Sequence, residues 1–216
     1  LGQAVGTFQT QLADFDGSRL YPTIADFHNM RSRYELLEKA MKTNYQNRLS
    51  LVRDELEYLF DNQERGYVLT DGLLSGELPI RVTHNDTKIS NVLFSEDGKE
   101  ALCIIDLDTV MPGTILFDTG DMIRSATTTA VEDEKDLSLV HFDTALHGAL
   151  LDGYFSNAPF LTERERALVV ESGRNITQIM AVRFLTDYLN GDTYYHTEYE
   201  SHNLVRARNQ IAFMRD

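Results

Sequence analysis

The 216-residue sequence predicts an α+β fold that is mainly α-helical, with one small β-hairpin. Three observations carry that prediction. Apolar residues recur at spacings of three and four from Tyr34 through Leu37, Met41, Tyr45, Leu49, Val52 and Leu56 to Leu59, as one or two amphipathic helices require. Thr162 followed by Glu165 forms a capping box that opens a second long helical stretch through Ile176, Ile179, Met180 and Phe184 to Tyr188, with Gly191 as its terminator. Between these stretches, Val92-Leu93-Phe94 and Leu102-Cys103-Ile104-Ile105 read as two strands joined through Ser95-Glu96-Asp97-Gly98-Lys99, whose Asp-Gly pair favours a tight hairpin.

The remaining elements follow in order. Val5, Phe8 and Leu12 place a helix at the start, and Asp14-Phe15-Asp16-Gly17 and then Pro22 end it. A coiled coil over residues 34–59 is the weaker reading, because Asn44 and Asn47 interrupt it and its charges are irregular. Val68 to Ser75 reads as a helix, and Ile80 to Val82 as a short strand after Gly76-Glu77-Leu78-Pro79. Pro112-Gly113 opens a loop. Asp118-Thr119-Gly120-Asp121 precedes a helix beginning near Met122, where its carboxylates are expected to cap free amides, or, for Asp121, to brace the neighbouring loop. The run Glu132-Asp133-Glu134-Lys135-Asp136 reads as a solvated loop, Leu139 to Phe155 as a helix, and Leu204 to Met214 as the last helix. Cys103, inside an apolar strand, is expected in the core. With no repeat, low-complexity tract or Pro/Gly-rich linker, residues 1–216 read as a single domain.

Composition narrows the function. Thirty-four acidic against twenty basic residues give a net charge of −14, which repels a nucleic-acid backbone and favours a small substrate. A nucleotide is compatible with that charge when divalent metal sits between carboxylates and phosphates, which makes magnesium part of any such reading. No apolar run is long enough to span a bilayer and no secretory leader opens the chain, so no membrane partner and a cytoplasmic location are expected. A lone cysteine excludes an internal disulfide framework and fits a reducing compartment. Neither G-x-S-x-G nor H-E-x-x-H occurs, which leaves hydrolase readings without a nucleophile motif. His141 with His147, and His196 with His202, are spaced off one helical face and argue against zinc.

The segment Thr83-His84-Asn85-Asp86-Thr87-Lys88-Ile89-Ser90-Asn91 fits H-x-D-x-x-x-x-N, in which the Asp and the later Asn serve phosphoryl transfer. Asn91 precedes the first hairpin strand and Asp106 follows the second, so antiparallel pairing brings both to the end opposite the turn. Transfer of a phosphoryl group needs alignment of an acceptor hydroxyl and neutralisation of charge. Asp86 is then the base, Asn91 and Asp106 the magnesium ligands, Lys88 the group that reaches the γ-phosphate of ATP, and His84 the brace of the loop. Asp108 is either a further metal ligand or an ordinary loop carboxylate. A calcium loop starting at Asp106 fails, since Met111 and Phe117 occupy the positions of its glycine and final glutamate. Arg183, inside the apolar stretch Met180 to Leu185, is either a buried ion-pair partner or a substrate contact. Asp192-Thr193-Tyr194-Tyr195-His196 offers groups that hydrogen-bond and stack on a sugar, as would an aromatic loop packed on the core.

The chain resembles the aminoglycoside phosphotransferase and choline kinase superfamily, and more closely the N-acetylhexosamine 1-kinases. The resemblance lies in Val82 to Lys88, Ile105 to Gly113, Phe117 to Arg124 and Arg183 to Leu189. It implies the larger, mostly helical C-terminal lobe of a protein-kinase-like fold, whose hairpin carries the metal site, and transfer of the ATP γ-phosphate to the anomeric hydroxyl of an N-acetylhexosamine. Asp86 is implied as base, Asn91 and Asp106 as magnesium ligands, Arg183 as a sugar contact, and Phe27-His28-Asn29 as further pocket residues, beside Tyr194 of the sugar-suited stretch above. The smaller lobe of such kinases supplies a loop over the phosphates and a strand lysine, yet residues 1 to 82 offer no β-rich segment for either. The expectation is therefore that an N-terminal lobe of the same protein completes the enzyme and that these residues alone have little activity. A kinase for another hydroxyl compound (an aminoglycoside, choline or homoserine) and a non-catalytic kinase-like binding module are the alternatives.

Overall fold

The computed structural model describes residues 1–216. Five helices come first: α1 (Gly2–Gln11), α2 (Met30–Thr43), α3 (Arg53–Asp61), the single turn α4 (Gln63–Gly66) and α5 (Val68–Ser75). Four short strands follow, β1 (Arg81–Thr83), β2 (Val92–Phe94), β3 (Ala101–Ile104) and β4 (Met111–Gly113). Helices α6 (Ile115–Ala126), α7 (Thr144–Asn157), α8 (Glu163–Leu189) and α9 (His202–Arg215) complete the chain. The structure is thus mainly helical with small antiparallel sheets. No helix is long and apolar enough to cross a membrane.

The chain divides into two compact units, one of Leu1–Phe27, Asp71–Thr128 and Asp143–Ile176, the other of His28–Thr70, Thr129–Phe142 and Thr177–Asp216. No composition shift marks the division, because each unit gathers three separate segments.

In the first unit α1 packs on α7. Gly6 permits this approach, since a Cβ there would lie 2.9 Å from the Tyr154 carbonyl oxygen. The buried Tyr154 hydroxyl donates to Gln9 Oε1 at 2.6 Å, tying the two helices where Val5 fills the core. Strands β1 and β4 pair antiparallel with Arg81 opposite Gly113 and Thr83 opposite Met111. The sequence places the first of these one residue early and reads Pro112-Gly113 as a loop; Pro112 is tolerated because a two-stranded ladder has only edges. The capping box forms as expected, Glu165 N donating to Thr162 Oγ1 at 3.2 Å and Thr162 N to Glu165 Oε2 at 2.8 Å. Glu165 also accepts from Arg81 Nε at 2.6 Å, which fastens β1 to the start of α8.

The hairpin is present, with Val92 opposite Ile104 and Leu93 opposite Cys103, and an irregularity between Leu93 and Phe94. Gly98 has φ 71°, the left-handed turn position that the Asp-Gly pair predicts. Cys103, however, is exposed, contrary to the core position expected of it. Two strands have no third layer to bury both faces, so Ala101, Leu102 and Cys103 all meet solvent.

Helix α6 begins at Ile115, capped by Thr114 Oγ1, rather than near Met122. The Asp-Thr-Gly-Asp sequence reads as a turn, yet Gly120 is there for packing: a Cβ on it would strike the Ser172 carbonyl of α8. Asp118 and Asp121 therefore lie inside the helix and do not cap it. Helix α7, by contrast, starts later than expected, at Thr144, where Asp143 accepts from Ala145 and Leu146 N.

In the second unit α2 is capped at its start by Asn29, whose side chain accepts from Ser32 N, and at its end by Asn44, with φ 44°. A 3-10 segment, Tyr45–Leu51, then leads to α3, so the asparagines interrupt the apolar pattern as the sequence indicates. Tyr34 Oη donates to the Leu59 carbonyl at 2.6 Å and accepts from Gln178 Nε2 at 2.9 Å. The acidic run is not merely solvated. Asp133 accepts from the Tyr199 hydroxyl at 3.2 Å and lies 3.3 Å from His202 Nε2, and Glu132 lies 3.8 Å from Arg206, all near the start of α9.

Candidate active site

The loop between β1 and β2 is held from beneath by buried groups. His84 is fully buried, and its Nε2 lies 3.0 Å from the Ile105 carbonyl oxygen. A carbonyl only accepts, so that nitrogen carries the proton and Nδ1 is left to accept the Asp86 backbone N–H at 3.3 Å. His84 thus braces the loop, and the Phe8 ring sits edge-on to it at 6.1 Å. Asn85 adopts φ 67°, a conformation asparagine tolerates better than most residues, and its side-chain amide donates to the Thr109 carbonyl at 2.8 Å. Thr109 Oγ1 in turn donates to the His84 carbonyl at 2.7 Å.

Asp118 anchors this loop from α6. Its carboxylate accepts from His84 N at 3.1 Å, Asn85 N at 2.6 Å and Gln9 Nε2 at 3.0 Å, and its carbonyl accepts from Thr87 Oγ1 at 2.6 Å. Burial pushes this carboxyl pKa up, against the pull of those donors. The cap expected of Asp118 is satisfied by Thr114, which frees its carboxylate to reach the loop.

Above the brace, Asp86 is 26% exposed, and its Oδ2 lies 2.8 Å from Lys88 Nζ and 2.7 Å from Asn91 Nδ2. The Asn91 amide also donates to the Asp86 carbonyl at 2.9 Å, which leaves Asn91 Oδ1 as its acceptor. The Ile105 N–H donates to the Asn91 carbonyl at 2.9 Å, so the next residue, Asp106, sits at the same hairpin end as Asn91. Asp106 is exposed with φ 65°, and Asp108 is exposed in the 3-10 turn Leu107–Thr109. Non-glycine residues in this region are costly and gather at functional sites. Asp121 completes the surroundings: Oδ1 pairs with Arg124 at 2.9 Å, while Oδ2 is buried without a partner. Its pKa is pushed up by burial and further by the negative Asp86.

The residues fit a hard divalent cation in a restricted sense. Nowhere do three His, Cys, Asp or Glu side chains gather to hold a metal by themselves. Asn91 Oδ1 and the Asp106 carboxylate are the oxygen donors magnesium prefers, and magnesium completes its shell with water and substrate phosphates.

The other expected contacts lie in the second unit. Arg183 and Tyr194 line a cavity of about 270 Å³ together with Arg33, Asp187, Thr193 and Tyr195. The Arg183 guanidinium lies 5.5 Å from the Tyr195 ring centroid, and its Nη1 3.7 Å from Met180 Sδ. His28 is buried in the same unit, outside that lining. Asp187 is one residue whose role the sequence conceals: its carboxylate accepts from Thr193 N at 2.9 Å, Tyr194 N at 2.8 Å, and Tyr195 N and Asn203 Nδ2, both at 2.9 Å. Gln9 is another, since its partner Asp118 lies 109 residues away and nothing local announces the pairing.

A partly exposed carboxylate fixed from below, with a lysine and an amide at its rim, suits transfer of a phosphoryl group to a hydroxyl. That is the class of a phosphotransferase of the small-molecule kinase type. Comparison with family models agrees: the model of the phosphotransferase enzyme family (APH) matches residues 1–168, and the chain belongs to that family.

Proposed function

We propose that this protein is an ATP- and magnesium-dependent kinase that phosphorylates the anomeric hydroxyl of an N-acetylhexosamine. The observation that carries the reading is the Asp86 carboxylate, presented partly exposed while Lys88 and Asn91 hold one of its oxygens. Asp86 takes the proton of the acceptor hydroxyl as that oxygen attacks the γ-phosphorus, and ADP leaves with the bridging oxygen and its electron pair. Lys88 neutralises charge on the transferring group. Asn91 and Asp106 hold magnesium, which when bound offsets the phosphate charge; exposed Asp108 offers a further oxygen. Arg183 and Tyr194 contact the sugar, a role supported by their shared cavity. His28, buried in the same unit outside that lining, is the further substrate contact of this reading.

The test is phosphate transfer from ATP to a panel of hydroxyl acceptors by the full-length polypeptide, with Asp86→Asn beside it. N-acetylhexosamines are expected to be the preferred acceptors, and the substitution to lower turnover by about a hundred- to ten-thousand-fold. Unchanged turnover would remove Asp86 from the chemistry. A preference for another acceptor would leave the kinase class standing and discard the sugar.

A further inference from the structure

Asp121 has an oxygen for which the folded chain gives no use. Its side chain is 6% exposed. Oδ1 accepts from Arg124 Nε at 3.0 Å and lies 2.9 Å from Arg124 Nη2, so both contacts fall on one oxygen. Oδ2 is buried and accepts from nothing. Buried polar atoms in folded proteins nearly always have a partner, so an orphan calls for an account, and the Arg124 pair accounts for Oδ1 alone.

The face of α6 that carries Asp121 is the face the loop after β1 runs along. Asp118, Asp121 and Ser125 stand at i, i+3 and i+7, on one side of the helix. Asp118 holds the loop at His84, Asn85 and Thr87, and Ser125 Oγ accepts from Ile89 N at 3.3 Å. Asp121 thus stands on the helix between the points that grip Thr87 and Ile89, and Lys88 stands on the loop between the same two points. The charges register this closeness. Burial pushes the Asp121 pKa up, Arg124 pulls it back, Asp86 raises it and Lys88 lowers it.

Lys88 meanwhile stands where phosphoryl transfer cannot leave it. Its Nζ lies 2.8 Å from Asp86 Oδ2, the oxygen that also accepts from Asn91 Nδ2. A cation held against a carboxylate favours the charged form and opposes uptake of a proton. With Asp86 as the base and Lys88 as the contact to the transferring group, that ion pair has to open during turnover. An ammonium carries three N–H donors on a flexible four-carbon stem, and this side chain is 38% exposed, which leaves it room to turn.

We propose that Asp121 is the positioning residue that receives Lys88: as the pair with Asp86 opens, one N–H of the ammonium rests on Asp121 Oδ2 while another meets a phosphoryl oxygen. The inference rests on the roles proposed for Asp86 and Lys88. Only hydrogen bonds change partners in this step, and the acceptor proton still passes to Asp86. Without the Asp121 carboxylate the lysine falls back on Asp86 and keeps the base paired.

The test is a double-mutant cycle on kcat in the full-length polypeptide, with ATP, magnesium and the acceptor it phosphorylates best: wild type, Asp121→Asn, Lys88→Met and the two together. Asp121→Asn is expected to lower kcat about tenfold while both KM values stay within about twofold, a split that general loss of folding would not give. In the Lys88→Met background the same substitution is expected to change kcat by less than about twofold, because the group it acts through is gone. Equal losses in both backgrounds would make Asp121 a structural partner of Arg124 and overturn the proposal, as would wild-type kcat in Asp121→Asn. Asp121→Ser replaces the amide variant should that not fold, and failure of both to fold, read by circular dichroism, would likewise assign the residue to structure alone. A slow Lys88→Met enzyme with equal losses discards this inference and leaves the kinase reading standing. Wild-type turnover in Lys88→Met removes the lysine from the chemistry and the inference with it.

Discussion

Asp118 carries three N–H donors on one buried carboxylate, two of them from the backbone of the loop that presents Asp86. Replacing it with asparagine turns one accepting oxygen into a donor that faces another donor, and an unmet buried group costs about 1–3 kcal/mol. Asp118→Asn is therefore expected to lower unfolding stability by about 2 kcal/mol and to slow turnover without touching the acceptor KM. Urea unfolding beside steady-state kinetics checks this, and wild-type stability would show that the donors are satisfied elsewhere. At this scale the sequence showed the residues that stand within one short motif, His84, Asp86, Lys88 and Asn91. It hid Gln9 and Thr109, because a hydrogen bond between distant segments leaves no periodic trace in either of them, and Asp187, because the loop amides it binds at Thr193 to Tyr195 follow no helical or strand period.

Among the elements, the start of α8 combines two devices in one side chain. Glu165 completes the capping box and pairs with Arg81 of β1, and its own side chain is fully buried. Thr162→Ala removes only the cap and is expected to cost about 1 kcal/mol. Glu165→Ala also strands an arginine 17% exposed and is expected to cost about 3 kcal/mol. A double-mutant cycle with Arg81→Met separates the terms, and a coupling near zero would mean the ion pair contributes nothing. The capping box and the hairpin were legible because their signals are local and their residues chemically particular. The start of α6 was not, since Gly120 looks like a turn residue until the carbonyl of Ser172 is seen against it. Strand β4 was missed for a related reason: a proline and a glycine hide a ladder only three residues long.

For the molecule as a whole, three tyrosines set an alkaline limit. Burial raises the pKa of Tyr34, Tyr154 and Tyr195 above the ordinary value of 10. Above that pH the unfolded chain releases protons that the folded chain retains, so stability falls as pH rises, whereas below pH 10 these groups leave it unchanged. In an alkaline titration, part of the phenolate absorbance is expected to appear only as helical circular dichroism is lost, and Tyr154→Phe to shrink that part. Ionisation of every tyrosine ahead of unfolding would contradict the burial. The mainly helical α+β class was readable from apolar spacing, whereas the division into two units was not, since each unit is stitched from three stretches with no linker between them.

The solvent-facing Cys103 has a practical consequence. It is the lone thiol of these 216 residues and stands on β3, two residues before Ile105, whose amide and carbonyl join Asn91 to His84. One maleimide dye would attach there in the native state, since no other cysteine stands among these residues. Its emission would follow magnesium and nucleotide arriving at the hairpin mouth, giving an optical readout of ligand binding that needs no turnover.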